Sequence, residues 1–167
     1  MDPIDRVRAA LAAVGLGDVV LELGDSARTA QMAADAIGAH FGMQVPVGAI
    51  AKSLLFIVNE QPVIVLAAGD RSVSYKQLGA IYGVSRKKVK LVDAATVLQV
   101  TGYEVGGVAP IGHLQALPVL IDESLNRFQT VWAAAGAQHA VFPVETVKLV
   151  EITSGRMAAL AEEILTR

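Results

Sequence analysis

Two stretches of this chain carry residue types whose spacing could do chemistry. In residues 49–58, AIAKSLLFIV, Lys52 is the only charge between Gly48 and Glu60. Strand-like alternation puts Lys52 on one face with Ile50, Leu54 and Phe56, and Ala51, Ser53, Leu55 and Ile57 on the other. A lysine on an apolar face either snorkels its ammonium to water or offers it to an anion in a pocket, and alternation alone leaves both open. The second stretch is residues 102–113, GYEVGGVAPIGH, holding Gly102, Gly106, Gly107, Gly112, Pro110 and His113. Glycines let a backbone approach a ligand and aim successive N–H groups at an oxygen, while Pro110 stiffens the loop. A plain helix-to-strand connection explains Gly102 as the residue past a helix end. It also allows Gly106-Gly107 as a turn, but Gly106, Gly107 and Pro110 are over-specified for that alone.

The common catalytic constellations are absent from the sequence. There is no HExxH, no Walker A lysine loop, no GxSxG and no Cys/His cluster. GYEVGG is not a dinucleotide fingerprint, because proline and a strand follow it where a long helix should. His40, His113 and His139 are scattered, so a metal site would need long-range convergence and none is expected. With no cysteine there is neither a disulfide framework nor a thiolate nucleophile.

The elements that must position these stretches are legible as punctuation. Asp2-Pro3 starts a helix over IDRVRAALAAVG, and VVLEL (19–23) alternates like a strand. DSART caps a second helix, AQMAADAIGAHFG. Residues 48–58 and 62–68 flank the turn NEQ as a β-hairpin. Ser74 caps a short helix ending at Gly83, and Asp93 caps another ending at Gly102. Beyond the glycine stretch come the strand LPVLID, the helical piece ESLNRF, and a hairpin-like pair, TVWAAAG and HAVFP. VETVKLVEI and GRMAALAEEILTR read as closing helices. Strands in adjacent pairs, without strict βαβ alternation, predict an α+β fold with a mixed, largely antiparallel sheet. No linker, repeat or low-complexity tract interrupts residues 1–167, so one domain is expected.

Composition bounds the partners. The chain has 167 residues, 53% hydrophobic but only 5% aromatic, which gives an aliphatic core. Its longest apolar run is broken by Asn59, Glu60, Gln61 and Pro62, so no membrane span is expected. Arg6 and Arg8 before an apolar run hint at a signal peptide, but Asp2, Pro3 and Asp5 favour an amphipathic helix. A cytoplasmic location is the expectation. Net charge is −2, yet residues 1–51 carry −3, residues 52–90 carry +5 and residues 91–167 carry −4. The middle segment could face a polyanion. For RKKVK alone, a solvated connection is the favoured alternative.

A strand AKSLLF with its lysine, a GGVAP loop some fifty residues on, and then LPVLID resemble the YbaK/ProX family. These are the aminoacyl-tRNA deacylase domains that also occur as the editing insertion of bacterial prolyl-tRNA synthetase. The resemblance runs from about Thr29 to Val150 and includes TAQMAADAIG, DAATVLQVTGYEVGGVAPIGH and VWAAAGAQHAVF. It implies a barrel-like sheet surrounded by helices, and hydrolysis of the ester joining a wrong amino acid to the tRNA 3′ end. It implies no cofactor, no membrane and no DNA, with the aminoacyl-tRNA 3′ end as partner and a synthetase as a further one. Lys52 matches the lysine that engages the terminal adenosine's phosphate, and residues 106–110 match the loop lining the aminoacyl pocket. Gly106 and His113 thereby join Lys52 as catalytic candidates. Thr29, Ser53, Gly107, Val108, Pro110, Gly136 and His139 are substrate-binding candidates. For His113 a substrate-orienting or proton-shuttling role stands beside that of a surface residue capping the loop. Family members lack a protein nucleophile, and water or the substrate itself attacks. The expected substrate is a tRNA carrying a small amino acid such as alanine, serine or cysteine, for example tRNA-Pro; where the cysteine-specific branch carries Ser-Gly-Gly, this chain has Ala134-Ala135-Gly136, which tilts the expectation towards alanine or serine. A non-catalytic adaptor binding tRNA ends, or a structural protein whose loop is only a turn, are the alternatives.

Overall fold

The computed structural model describes residues 1–164. In chain order the elements are α1 (Pro3–Ala13), β1 (Leu21–Glu22), α2 (Ala30–Phe41), β2 (Ile50–Val58), β3 (Gln61–Ala68) and β4 (Arg71–Val73). They continue with α3 (Tyr75–Ile81), β5 (Val89–Leu91), α4 (Ala94–Thr101), β6 (Val119–Asp122), β7 (Thr130–Ala134) and β8 (Ala140–Glu145). α5 (Thr146–Thr153), β9 (Arg156–Ala158) and β10 (Ala161–Glu163) close the described chain. The fold is α+β. One eight-stranded mixed sheet runs β1-β8-β7-β2-β3-β6-β9, with β5 also pairing β2, and β10 pairs β4 in a separate ribbon.

Local chemistry accounts for the helix starts. The side chains of Asp2, Thr29, Ser74 and Asp93 accept hydrogen bonds from the backbone N–H groups of Ile4, Met32, Gln77 and Thr96. Such a cap stabilises a helix by about 1 kcal/mol. The β2–β3 hairpin turns on Asn59 and Glu60, both with positive φ (48° and 70°), the left-handed pair that a two-residue turn demands.

β2 and β3 are apolar on both faces because both faces are covered. Leu55, Ile64 and Leu66 pack with Val7 and Leu11 of α1, Tyr103 and Phe142. Phe56, Val63 and Val65 pack on the other side with Leu78, Leu120 and Leu160. α2 lays Ala33, Ala34 and Ile37 against Ile50 and Val141.

Two readings of the sequence need correction. VVLEL yields only a two-residue strand, Leu21–Glu22, at the sheet edge. GRMAALAEEILTR is not a helix where it is described. Residues 156–158 add a parallel edge to β6, and residues 161–163 pair with β4. Buried Asp122 accepts from the N–H groups of Leu160 (2.7 Å) and Ala161 (2.9 Å), fixing an extended chain between the two strands. Tertiary pairing thus overrides the helix propensity of an Ala/Leu/Glu segment. The last three residues of that reading lie outside the described residues. No helix among the described residues is long and apolar enough to cross a membrane.

Candidate functional site

The site begins at a fork in the sheet. Along one side, β2 pairs with β7 only at Ile50 and Ala51, and with β5 only from Phe56 to Val58. Residues 52–55 lie between those two partners with no strand on that side, while β3 pairs them continuously on the other. A cavity of about 700 Å³ occupies the opening. That is within the usual range for small-molecule sites, about 300–1,000 Å³. β2 supplies Lys52 and Ser53, β7 supplies Trp132 and Ala134, and β5 leads into Leu91 and Val92 at the rim. The start of α2 brings Arg28 and Thr29, and the glycine loop brings Val105, Gly106 and Val108.

Lys52 lines this cavity. Its stem is half-buried in the fork and its Nζ donates to the Arg71 carbonyl at 2.6 Å. Burial pushes the ammonium below its ordinary pKa, and the carboxylate of Asp70 opposes that. Asp70 is itself held by Arg127 through two hydrogen bonds of 2.9 and 2.7 Å, and this pairing keeps its carboxyl below the usual range. Asp70, Arg71 and Arg127 therefore set the position and charge of Lys52. None of the three stood out in the sequence, because their convergence is made by the β3–β4 turn meeting the segment before β7.

Beside Lys52, the Ser53 hydroxyl oxygen is enclosed and has no hydrogen-bond partner among the described residues. A buried hydroxyl without a partner costs on the order of 1–3 kcal/mol, which a ligand or water in the fork would recover. Thr29 also lines the cavity. Its oxygen already accepts from the Met32 N–H at 3.1 Å as the cap of α2, which leaves its O–H to donate.

The glycine loop is held by contacts the sequence did not disclose. Arg6 of α1 donates from Nε to the Gly112 carbonyl and from Nη2 to the Gly102 carbonyl, both at 2.8 Å. Its guanidinium lies 4.5 Å from the centroid of the Tyr103 ring. Tyr103, fully buried, donates its hydroxyl toward the Ile111 and Gly112 carbonyls at 2.8 Å each. Two glycines owe their identity to neighbouring protein. A Cβ on Gly107 would stand 2.8 Å from the backbone of Ala137, and one on Gly106 (φ +89°) 2.9 Å from Arg28. Gly107 accepts from the Gly136 N–H at 3.0 Å, which ties the loop to the β7–β8 turn. Among the described residues, the N–H groups of Gly106 and Val108 have no acceptor.

The structure thus gathers five of the ten candidates, Thr29, Lys52, Ser53, Gly106 and Val108, around one cavity. Gly107, Pro110, Gly136, His113 and His139 do not line it. Gly107 and Pro110 are buried behind the loop, and a Cβ on Gly136 would meet the Pro3 carbonyl of α1. His113 folds back so that its Nε2 donates to the Ala109 carbonyl at 2.8 Å, and burial lowers its pKa. His139 sits exposed on the outer side, 3.3 Å from Glu22.

With this geometry in hand, known proteins give a consistent picture. A family model described as an aminoacyl-tRNA editing domain matches residues 25–152. The Bacillus subtilis protein YwhH is 33% identical over 139 residues, 83% of each chain. A proline–tRNA ligase from Lactobacillus gasseri is 33% identical over 93 residues, 56% of this chain and 16% of the ligase. A crystal structure provisionally named a trans-editing enzyme for prolyl tRNA synthetase is 32% identical, with a TM-score of 0.86 over 97% of this chain and 98% of that one.

Proposed function

Because the chain belongs to the aminoacyl-tRNA editing domain family, we propose that it hydrolyses the ester of a mischarged aminoacyl-tRNA, acting in trans. Action in trans is supported by the likeness, at 32% identity and a TM-score of 0.86, to a structure whose name describes a trans-editing enzyme for prolyl tRNA synthetase. The observation that carries the proposal is the fork: one apolar cavity is lined by a half-buried lysine, a serine whose hydroxyl has no partner among the described residues, and a glycine loop with two N–H groups that have no acceptor there. Lys52 holds the terminal adenosine's phosphate, and Ser53 and Thr29 donate to the nucleotide or the amino acid. Water adds to the ester carbonyl carbon, and the negative oxygen that forms is met by the Gly106 and Val108 N–H groups. The bond to the ribose oxygen then breaks, the proton passes to that oxygen, and a free amino acid leaves. A single donor to such an oxyanion is worth about 10²–10³ in rate. Walls built from Ala30, Ala33, Ala133 and Ala134 favour a small side chain, alanine or serine.

The test is deacylation of Ala-, Ser- and Cys-tRNA^Pro by wild type and Lys52→Ala. One ester should be cleaved by wild type, with kcat/KM about 10–100-fold lower in the variant, the value of one charge-assisted hydrogen bond of about 1.5–3 kcal/mol. Binding of charged tRNA without cleavage of any ester would make the protein an adaptor of the same fold.

A further inference from the structure

On the proposed function the cavity takes the end of a substrate, and Lys52 and Arg28 are the only cations among the described residues that line it, too few to grip the remainder of a nucleic acid. The charge distribution supplies that grip elsewhere. Of the seven basic residues in segment 52–90, Lys52 and Arg71 belong to the fork. The other five, Lys76, Arg86, Lys87, Lys88 and Lys90, are all exposed and concentrate on α3, the turn of 3₁₀ helix at Arg86–Lys88, and β5. None of the five makes a salt bridge among the described residues, whereas Arg8, Arg71, Arg127 and Lys148 each engage a carboxylate. The β2–β3 turn braces this segment, its Asn59 N–H donating to the Lys88 carbonyl at 2.9 Å.

An unpaired charge cluster on a chain of net charge −2 is costly to keep unless something uses it, since like charges repel. Two features make this one a ridge rather than a floppy run. β5 is hydrogen-bonded to β2, with Lys90 opposite Ile57 and Leu91 opposite Phe56. Arg86 lies 5.7 Å from the Tyr75 ring centroid, and Tyr75 packs edge-on against buried Phe56. The ridge also leads to the site. The residues that follow Lys90, Leu91 and Val92, form part of the cavity wall, and Leu91 is 53% exposed at the rim. From Lys52 to Phe56, where β5 attaches, is four strand residues, or about 13 Å.

We infer that the ridge formed by Lys76, Arg86, Lys87, Lys88 and Lys90 binds the sugar-phosphate backbone of the RNA whose 3′ end enters the fork. This rests on the proposed function for the identity of the RNA, and adds the surface that holds it. The contacts are to phosphates and carry no sequence preference. They set affinity and its salt dependence, while the fork sets chemistry.

The test uses the full chain and an uncharged acceptor-stem hairpin ending in CCA, followed by fluorescence anisotropy across a salt series. Lys87→Glu with Lys88→Glu should weaken binding at least tenfold and make the slope of log Kd against log salt shallower by about two. Lys148→Glu, which reverses a charge on α5, should leave both unchanged. An unaltered slope in the double variant overturns the inference. So does a loss of binding to anionic phosphatidylserine vesicles with RNA binding intact, which would make the ridge a membrane contact. A second readout separates this inference from the proposed function. If the ester of a full tRNA and that of a stem-less aminoacyl-adenosine are both cleaved, their turnover ratio should fall about tenfold in the double variant. If neither ester is cleaved by wild type, the deacylase reading fails, while the hairpin binding series still decides the ridge.

Discussion

His113 shows how far a single residue's environment narrows its chemistry. A carbonyl oxygen only accepts, so the hydrogen at Nε2 is committed to Ala109 and Nδ1 is left bare. Burial depresses the pKa below the ordinary 6.5, with nearby Arg6 acting in the same direction. The ring is therefore neutral at pH 7 and packs edge-on to Tyr103 with centroids 6.0 Å apart. This arrangement braces the glycine loop from behind, with His113 outside the cavity lining. The linkage has a definite sign. Well above pH 6.5 the residue is neutral in both the folded and the unfolded chain. As pH falls through 6.5 the unfolded chain takes up the proton first, so stability drops until the folded pKa is passed. His113→Gln, which keeps a donor for Ala109 and cannot titrate, should show a shallower fall in Tm than wild type between pH 7 and roughly 5. Parallel Tm curves for the two proteins would remove the titration argument.

At the scale of elements, the sequence disclosed what is local and missed what is assembled. Caps, the left-handed turn at Asn59-Glu60, and Gly102 as a helix stop were legible because each is encoded within four residues. The fork was not, since it depends on β5 and β7 meeting opposite ends of β2 from 31 and 80 or more residues away in the chain. The final helix reading failed for the same reason: Asp122 and the free edges of β4 and β6 impose strand on residues whose own preference is helix. The glycine pair has a packing role that the sequence did not disclose. Ligand approach was the expectation; the structure places the backbone of Ala137 and Arg28 where the two Cβ atoms would be. A methyl at residue 107 has only main-chain atoms to push against, which cannot swing aside. Gly107→Ala should thus destabilise the protein by roughly 1–3 kcal/mol, the usual cost of overpacking. Urea unfolding measures it. An unchanged midpoint would mean that the loop and the β7–β8 turn part freely, and that Gly107 is not what holds the cavity wall in place.

Across the whole molecule, α1 lies outside the family match, as do β1, β9 and β10, yet it packs directly behind the cavity wall. The matched segment begins at residue 25, yet α1 lies before it and reaches both the glycine loop and the β7–β8 turn. Val7 and Leu11 are fully buried in the same core as Tyr103, Val108 and Ala109. The Pro3 carbonyl occupies the space beside Gly136, and Arg6 spans the two ends of the glycine stretch by binding the carbonyls of Gly102 and Gly112. One planar guanidinium thereby closes a loop whose two ends are ten residues apart, and the stacked Tyr103 ring keeps that plane in register. Two charge-assisted bonds in a partly buried setting give an expected loss of about 2–3 kcal/mol for Arg6→Ala. The distinctive expectation concerns Arg6→Lys. An ammonium keeps the charge but cannot donate in a fork to two carbonyls or stack its plane on tyrosine, so it should recover less than half of the lost stability. Hydrogen exchange at residues 103–112 should quicken in both variants more than at β2–β3. If lysine restores full protection to the loop, charge alone holds it, and the planar clamp is not what connects α1 to the cavity wall.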